Sequence, residues 1–315
     1  MSEITRRDFI KKTSAGLIAL SATPCSAKKE ELPTRLLGKT GVEIPLLTFG
    51  GGSQFLKNED GDWEPLLQRA LDMGIKVFDT ASSYQWGASL SSEERFGEIL
   101  SPHRSRVIIS TKFDSRDPDA AMREIERSLS RLKTDYIDIL MIHSIEKSED
   151  LDAFGARIYP MMMRLKEEGV AKTIGFSSMN SAEKSKDLMG RFEVDVCLLA
   201  INATTYGGFA QVALPTAKEQ NIGVLAMKVM RDVVGKEATP ADLIDYALGQ
   251  DGVASACIGH FGLATLEENA RIIKSSPEVG KTHQDFHEIE TRLAHLATPR
   301  HLRWARDEYY DGKMC

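Results

Sequence analysis

The chain has 315 residues, 42% apolar and 27% charged, which suits one large globular domain or two small ones and excludes a disordered body. A formal net charge of −6 argues against nucleic acid or an anionic membrane surface as the main partner. The four cysteines, Cys25, Cys197, Cys257 and Cys315, stand far apart without C-x-x-C or H-E-x-x-H spacing, so neither a disulfide framework nor a metal site is expected.

The first segment reads as an address. TRRDFIKKTSAGLIALSATPCSA, at 5–27, sets Arg6, Arg7, Lys11 and Lys12 ahead of an apolar run, Ala15–Ala22, too short to span a bilayer. The paired arginines, the phenylalanine and the apolar run resemble a twin-arginine export signal, with an ordinary amphipathic helix as the alternative. Small residues at Cys25–Ala27 offer a cleavage point, whereas Pro24 disfavours a lipoprotein. The resemblance implies a signal segment over 1–27, a body over 28–315, recognition by export machinery and a periplasmic destination. No later run reaches the length of a transmembrane helix.

From residue 35 the pattern becomes regular. RLLGKTGVEIPLL predicts a hairpin turning at Lys39–Gly41. Eight β-rich runs then alternate with helical ones. PLLTF precedes EPLLQRALDM, KVFDT precedes SEERFGEIL, RVIIST precedes DAAMREIERSLSRL, and DYIDILMIH precedes PMMMRLKEEG. KTIGFS, DVCLLAIN, GVLAMKV and ACIGH follow, each with its own helix: SAEKSKDLM, ALPTAKEQ, PADLIDYALG and TLEENARIIKSS. Several strands are continuous apolar runs, as expected where both faces of a parallel sheet are buried. The prediction is an α/β fold, a (β/α)8 TIM barrel with an N-terminal β-hairpin. The periodicity of HQDFHEIETRLAHL adds a C-terminal helical extension outside the barrel.

In such a barrel the chemistry lies at the carboxyl ends of the strands. Asp79 ends one strand and Tyr84 follows it, Lys112 ends the next, and His143 ends the one after. Three consecutive strands thus send an acid, a phenol, an amine and an imidazole to one rim.

These residues sit in VFDTASSY, STKF and LMIH, which together with SEERFGEIL, IGFSS and LEEN resemble the aldo-keto reductases in the family's own order, over essentially the whole body. The resemblance implies hydride transfer between a nicotinamide cofactor, NADPH or NADH, and a small carbonyl or alcohol substrate. Tyr84 would be the general acid, Lys112 its tuner, Asp79 the ion-pair partner and His143 the group that orients the substrate. The chemistry is coherent: a free phenol, with a pKa of about 10, is a sluggish acid at neutral pH, and a neighbouring ammonium favours its ionised form. A buried ammonium in turn needs a counter-charge.

The same resemblance places the cofactor along Gly50 and Gly51 of FGGGSQ, Asp79, Ser177 and Ser178, Met227 and Lys228, and the loop IGHFGLATLEEN with Gly259, His260, Thr265, Glu268 and Asn269. Trp86 is a candidate substrate wall. Several family positions are altered. Ser178 replaces an asparagine, Leu198 a glutamine, Met227 a stacking aromatic and Thr265 an arginine, with His260 and Lys228 as candidate substitutes for phosphate contacts. These changes keep a second reading open, a non-catalytic ligand-binding or regulatory barrel that retains the four residues. A hydrolase is disfavoured, since no G-x-S-x-G elbow occurs.

Overall fold

The computed structural model describes residues 31–276, 283–306 and 308–309. The signal-like segment 1–27 lies outside the described residues, as do Cys25 and Cys315.

Two short strands, β1 (Thr34–Leu36) and β2 (Glu43–Pro45), pair antiparallel as the predicted hairpin, with Gly41 in the left-handed region at φ 71°. Leu37 packs against Gly223, and Lys39 N–H donates to Asn221 O. Both contacts lie at the amino end of a barrel strand, so the hairpin closes the end of the barrel away from the catalytic rim.

Eight parallel strands form the closed barrel: β3 (Leu47–Gly50), β4 (Val77–Asp79), β5 (Ile108–Phe113), β6 (Ile137–Ile142), β7 (Ala171–Ser178), β8 (Val196–Ala200), β9 (Gly223–Met227) and β10 (Val253–Gly259), which pairs back to β3. All six residues of β6 and all five of β8 are buried, which is why these strands read as unbroken apolar runs.

Strand alternation sorts the side chains that matter. Phe49 and Phe78 turn outward and meet Phe96 of the Ser92–Leu100 helix at 6.1 and 5.7 Å between ring centres. Asp79, one residue on, turns inward. On β5 the Thr111 hydroxyl donates to Glu93 of that helix at 2.7 Å, while Lys112 turns inward to Asp79.

The helices start where their capping chemistry places them. Ser91 and Glu94 form a reciprocal capping box, as do Thr239 and Asp242 ahead of Pro240–Gly249. Asp117 caps Pro118–Leu132, and Pro118 suits the first turn. The helix after β6 begins earlier than its sequence pattern suggests, at Leu151, and passes through a π-turn over Phe154–Ile158. Tyr159 N–H bonds Phe154 O there, a register that absorbs Pro160, which has no N–H to offer.

The C-terminal extension is a helix, His283–Leu293, whose Phe286 packs on Gly249 and meets the Tyr246 ring at 5.4 Å. The chain then returns across the catalytic end, which the sequence pattern did not suggest. Trp304 is fully buried against Tyr206 at 5.4 Å, and Arg303 forms a two-armed ion pair with Asp232. Among the described residues no helix is long and apolar enough to cross a membrane, and no cluster of histidine, cysteine or carboxylate side chains is arranged to hold a metal.

Candidate active site

A cleft of about 480 Å³ opens at the carboxyl ends of the strands, with Asp79, Tyr84, Leu198, Met227 and Cys257 at its inner end, over the barrel mouth. Its outer end runs onto the helix after β10, at Phe261, Thr265, Glu268 and Asn269. A cleft of about 580 Å³ lies at the hairpin end, beside Arg35 and Leu36, and contains none of the four candidate catalytic residues.

The Lys112 ammonium is completely buried and donates to both Asp79 oxygens, at 2.8 and 2.7 Å, and to Thr80 O at 2.6 Å. Ser110 Oγ also donates to Asp79, at 2.8 Å, so the carboxylate is fixed from two sides. The ammonium lies 5.3 Å from the centre of the Tyr84 ring, and that ring meets the His143 ring edge-on at 5.6 Å. The structure therefore brings Asp79, Tyr84, Lys112 and His143 together at one place. His143 sits immediately beyond β6 rather than within it.

Two buried or half-buried carboxylates near this group were not read from the sequence. Asp114, just after β5, engages His143 Nδ1 at 2.8 Å. Glu93 is wholly buried outside the strands, where it accepts from the Thr111 hydroxyl next to Lys112 in sequence, and burial pushes its carboxyl above the usual carboxylate range. Asp114 carries a signal that sequence reading can use, a carboxylate directly after a strand end that delivers a lysine. Glu93 carries none, because SEERFGEIL shows acidic residues in a helix's first turn, where they are ordinary.

The backbone on this rim is strained at several side chains. Trp86, Ser144 and Lys228 hold φ of 37°, 53° and 59°, a region that residues other than glycine seldom enter. Such conformations persist where surrounding contacts over-determine them, and they cluster at functional sites. Trp86 stacks on Tyr84 at 5.2 Å and an 18° interplanar angle. The position of Gly52 leaves room beside both rings, since a Cβ there would lie 3.6 Å from each.

The expected cofactor positions divide into two groups. Gly50, Met227, Lys228, Gly259, Thr265, Glu268 and Asn269 line the cleft, as does Asp79. Gly51 instead packs on the Ser92–Leu100 helix, where a Cβ would lie 2.4 Å from Ser92 Oγ. The Ser177 hydroxyl accepts from Ser144 N–H at 2.9 Å, and the Ser178 hydroxyl donates to Ile145 O at 2.7 Å, so both are engaged in holding the loop after His143.

His260 requires a correction. Its imidazole is fully buried between Phe49, at 5.3 Å, and Asn269, so it cannot stand in as a phosphate contact on the cleft wall. Desolvation lowers its pKa to about 3, which keeps it neutral.

Two further residues shape the cleft without an advance signal. Arg231 reaches from the loop after β9 to the Ser53 hydroxyl in the loop after β3, and its buried Nε makes no hydrogen bond. Asn58 ties the loop after β3 to the loop after β10, donating to His260 O at 3.1 Å and accepting from Gly262 N–H at 2.8 Å. A long cleft crossed by a guanidinium, with a glycine floor beside the phenol, fits an extended dinucleotide.

Residues 46–284 match the aldo/keto reductase family, and the chain belongs to it. It is thereby an oxidoreductase that uses a nicotinamide cofactor. It is 26% identical to L-galactose dehydrogenase of Arabidopsis thaliana over 87% of this chain and 97% of that one. It is 29% identical to D-threo-aldose 1-dehydrogenase of a Pseudomonas species over 67% and 73% of the two chains. Among solved structures, aldo-keto reductase AKR11C1 of Bacillus halodurans shares the fold at a TM-score of 0.68 and 18% identity, covering 83% of this chain and 96% of its own.

Proposed function

We propose that the chain interconverts a small carbonyl and its alcohol, with Tyr84 as the general acid for reduction and general base for oxidation. The carrying observation is the buried Lys112 ammonium, locked to Asp79 and Thr80 O, 5.3 Å from the Tyr84 ring. A fixed cation in a water-poor setting favours the phenolate, so Tyr84 can release a proton to an oxygen that is gaining negative charge. Asp114 holds His143 by Nδ1, which makes Nε2 the ring atom to meet and orient the substrate oxygen. Trp86, stacked on Tyr84, walls that oxygen from solvent. The cleft lining from Gly50 to Asn269, with Arg231, would hold the nicotinamide dinucleotide, which supplies or accepts hydride when bound. The aldose dehydrogenases among the relatives support a sugar-like substrate.

The test follows nicotinamide absorbance with a panel of aldehydes, ketones and aldoses. Tyr84→Phe should lower kcat by about 10²–10⁴-fold while nucleotide affinity changes little. Undiminished turnover in Tyr84→Phe would remove the phenol from the reaction.

We propose also that residues 1–27 direct the folded protein out of the cytoplasm by a twin-arginine route to the periplasm, after it has loaded its cofactor. Paired arginines ahead of a short apolar run support this reading. In cell fractionation, Arg6→Lys/Arg7→Lys should confine the protein to the cytoplasm; unchanged export would refute the route.

A further inference from the structure

The aim of the His143 ring depends on two loops that leave neighbouring strands. β5 and β6 run side by side with Phe113 opposite Ile142, and His143 N–H donates to Phe113 O at 2.9 Å. Past that bond the strands part. Asp114, which engages the ring at Nδ1, belongs to the loop after β5, while Ser144 carries the chain from His143 into the loop after β6. The imidazole keeps its aim only while these loops keep their spacing.

Arg116 spans them. Its Nη1 donates to Asp114 O at 2.7 Å and its Nη2 to Ser144 O at 3.0 Å. One carbonyl belongs to the residue that holds the ring, the other to the residue that follows it. The same guanidinium meets the Glu149 carboxylate through Nε at 3.2 and 3.3 Å and through Nη2 at 2.7 Å. The Glu149 side chain is only 7% exposed, so this pair is shielded on the carboxylate side.

Both partners are anchored by local turns. Asp117 N–H bonds Ser115 Oγ at 3.1 Å, and Asp117 then caps the Pro118–Leu132 helix. Glu149 N–H bonds Glu146 O at 3.1 Å, and Asp150 caps the next helix. The far sides of the two bridged residues are also tied, Asp114 N–H to Glu124 at 2.7 Å and Ser144 N–H to Ser177 Oγ at 2.9 Å. Ser144 holds a φ of 53°, a conformation that persists only under such contacts. A guanidinium sets its N–H donors in one rigid plane and can fix two carbonyls and a carboxylate at once, whereas an ammonium is a point charge on a flexible stem.

We infer that Arg116, backed by Glu149, is a positioning residue for the reaction: it braces the loops after β5 and β6 so that Asp114 meets His143 Nδ1 and Nε2 faces the substrate oxygen. The inference rests on the reading of His143 as the group that orients the substrate, and two measurements on the full chain keep the two apart. Nitrogen-15 NMR of the histidine rings needs no turnover, and His143→Gln identifies the His143 signals. In Arg116→Met those signals should move toward their positions in Asp114→Ala. In the carbonyl assay Arg116→Met should lower kcat/KM by about 10–100-fold, mostly through kcat, with nucleotide Kd within about twofold of wild type. Arg116→Lys should not restore the rate, and Asp114→Ala/Arg116→Met should be less than about threefold slower than Asp114→Ala, because the brace then has no held ring to serve. Should Arg116→Met destabilise the chain by leaving Glu149 unpaired, Arg116→Met/Glu149→Gln removes that charge and gives the same readouts. Unmoved ring signals, full activity in Arg116→Lys, or fully additive losses in the double variant would overturn the brace. Displaced signals with undiminished turnover would defeat the orienting role of His143, and the inference with it. A wild type that turns over nothing in the panel would defeat the activity reading, and the ring signals would then decide the brace alone.

Discussion

Replacing Asp79 by leucine should leave the Lys112 ammonium inside the barrel mouth without a counter-charge. Lys112 has no exposed side-chain surface and Asp79 only 5%, so water cannot take the place of the carboxylate without opening the site. Breaking a buried pair from one side costs about 3–5 kcal/mol. An independent bound agrees: an ordinary lysine can escape the penalty at pH 7 by losing its proton, at a cost of about 4.6 kcal/mol. Thr80 O remains as an acceptor and moderates the loss, so we expect about 3–4 kcal/mol for Asp79→Leu. The double variant Asp79→Leu/Lys112→Met removes both charges and should recover most of it. Urea unfolding followed by circular dichroism at pH 7 measures all the variants. A loss below about 1 kcal/mol in Asp79→Leu, or a double variant no more stable than the single, would refute the claim that the pair is a desolvated, mutually dependent unit.

Asp114→Ala removes the partner that fixes the His143 ring, and should lower kcat/KM by about 10–100-fold, as expected for one lost charge-assisted hydrogen bond. Nucleotide affinity by titration should stay near wild type, and a loss of less than twofold in kcat/KM would show that the ring is held by other means. His260 gives a pH signature. Its folded pKa of about 3 lies below the ordinary unfolded value of about 6.5, so the unfolded chain binds the extra proton between those limits and stability falls as pH drops through that window. By pH 5 that loss reaches about 2 kcal/mol. His260→Gln should lack this part of the acid sensitivity in urea titrations at pH 7 and pH 5, and an identical pH dependence in both proteins would refute it.

Much of the barrel was legible because its evidence is local. β6 and β8 are buried on both faces and therefore read as apolar runs, while SEERFGEIL and PADLIDYALG read as helical runs where the structure has helices. The candidate site was legible where a residue lies at or beside a strand end, as at Asp79, at Lys112 one residue before the end of β5, and just past β6 at His143. Asn58 and Arg231 were not, since their partners lie 202 and 178 residues away and nothing near them in sequence points there. His260 misled for a related reason. A histidine at a strand end can face the cleft or the core, and one residue of strand phase decides which.

What the sequence determined alone was the alternation of strand and helix, the hairpin turn and the set of side chains sent to one rim, because periodicity and turn chemistry act over a few residues. The tertiary structure decided which of those side chains meet. It buried Lys112 against Asp79, set Asp114 behind His143 and drew the tail back over the barrel mouth. Those outcomes depend on barrel closure, which sets far-separated loops side by side, and contact between residues distant along the chain leaves no local periodicity to read.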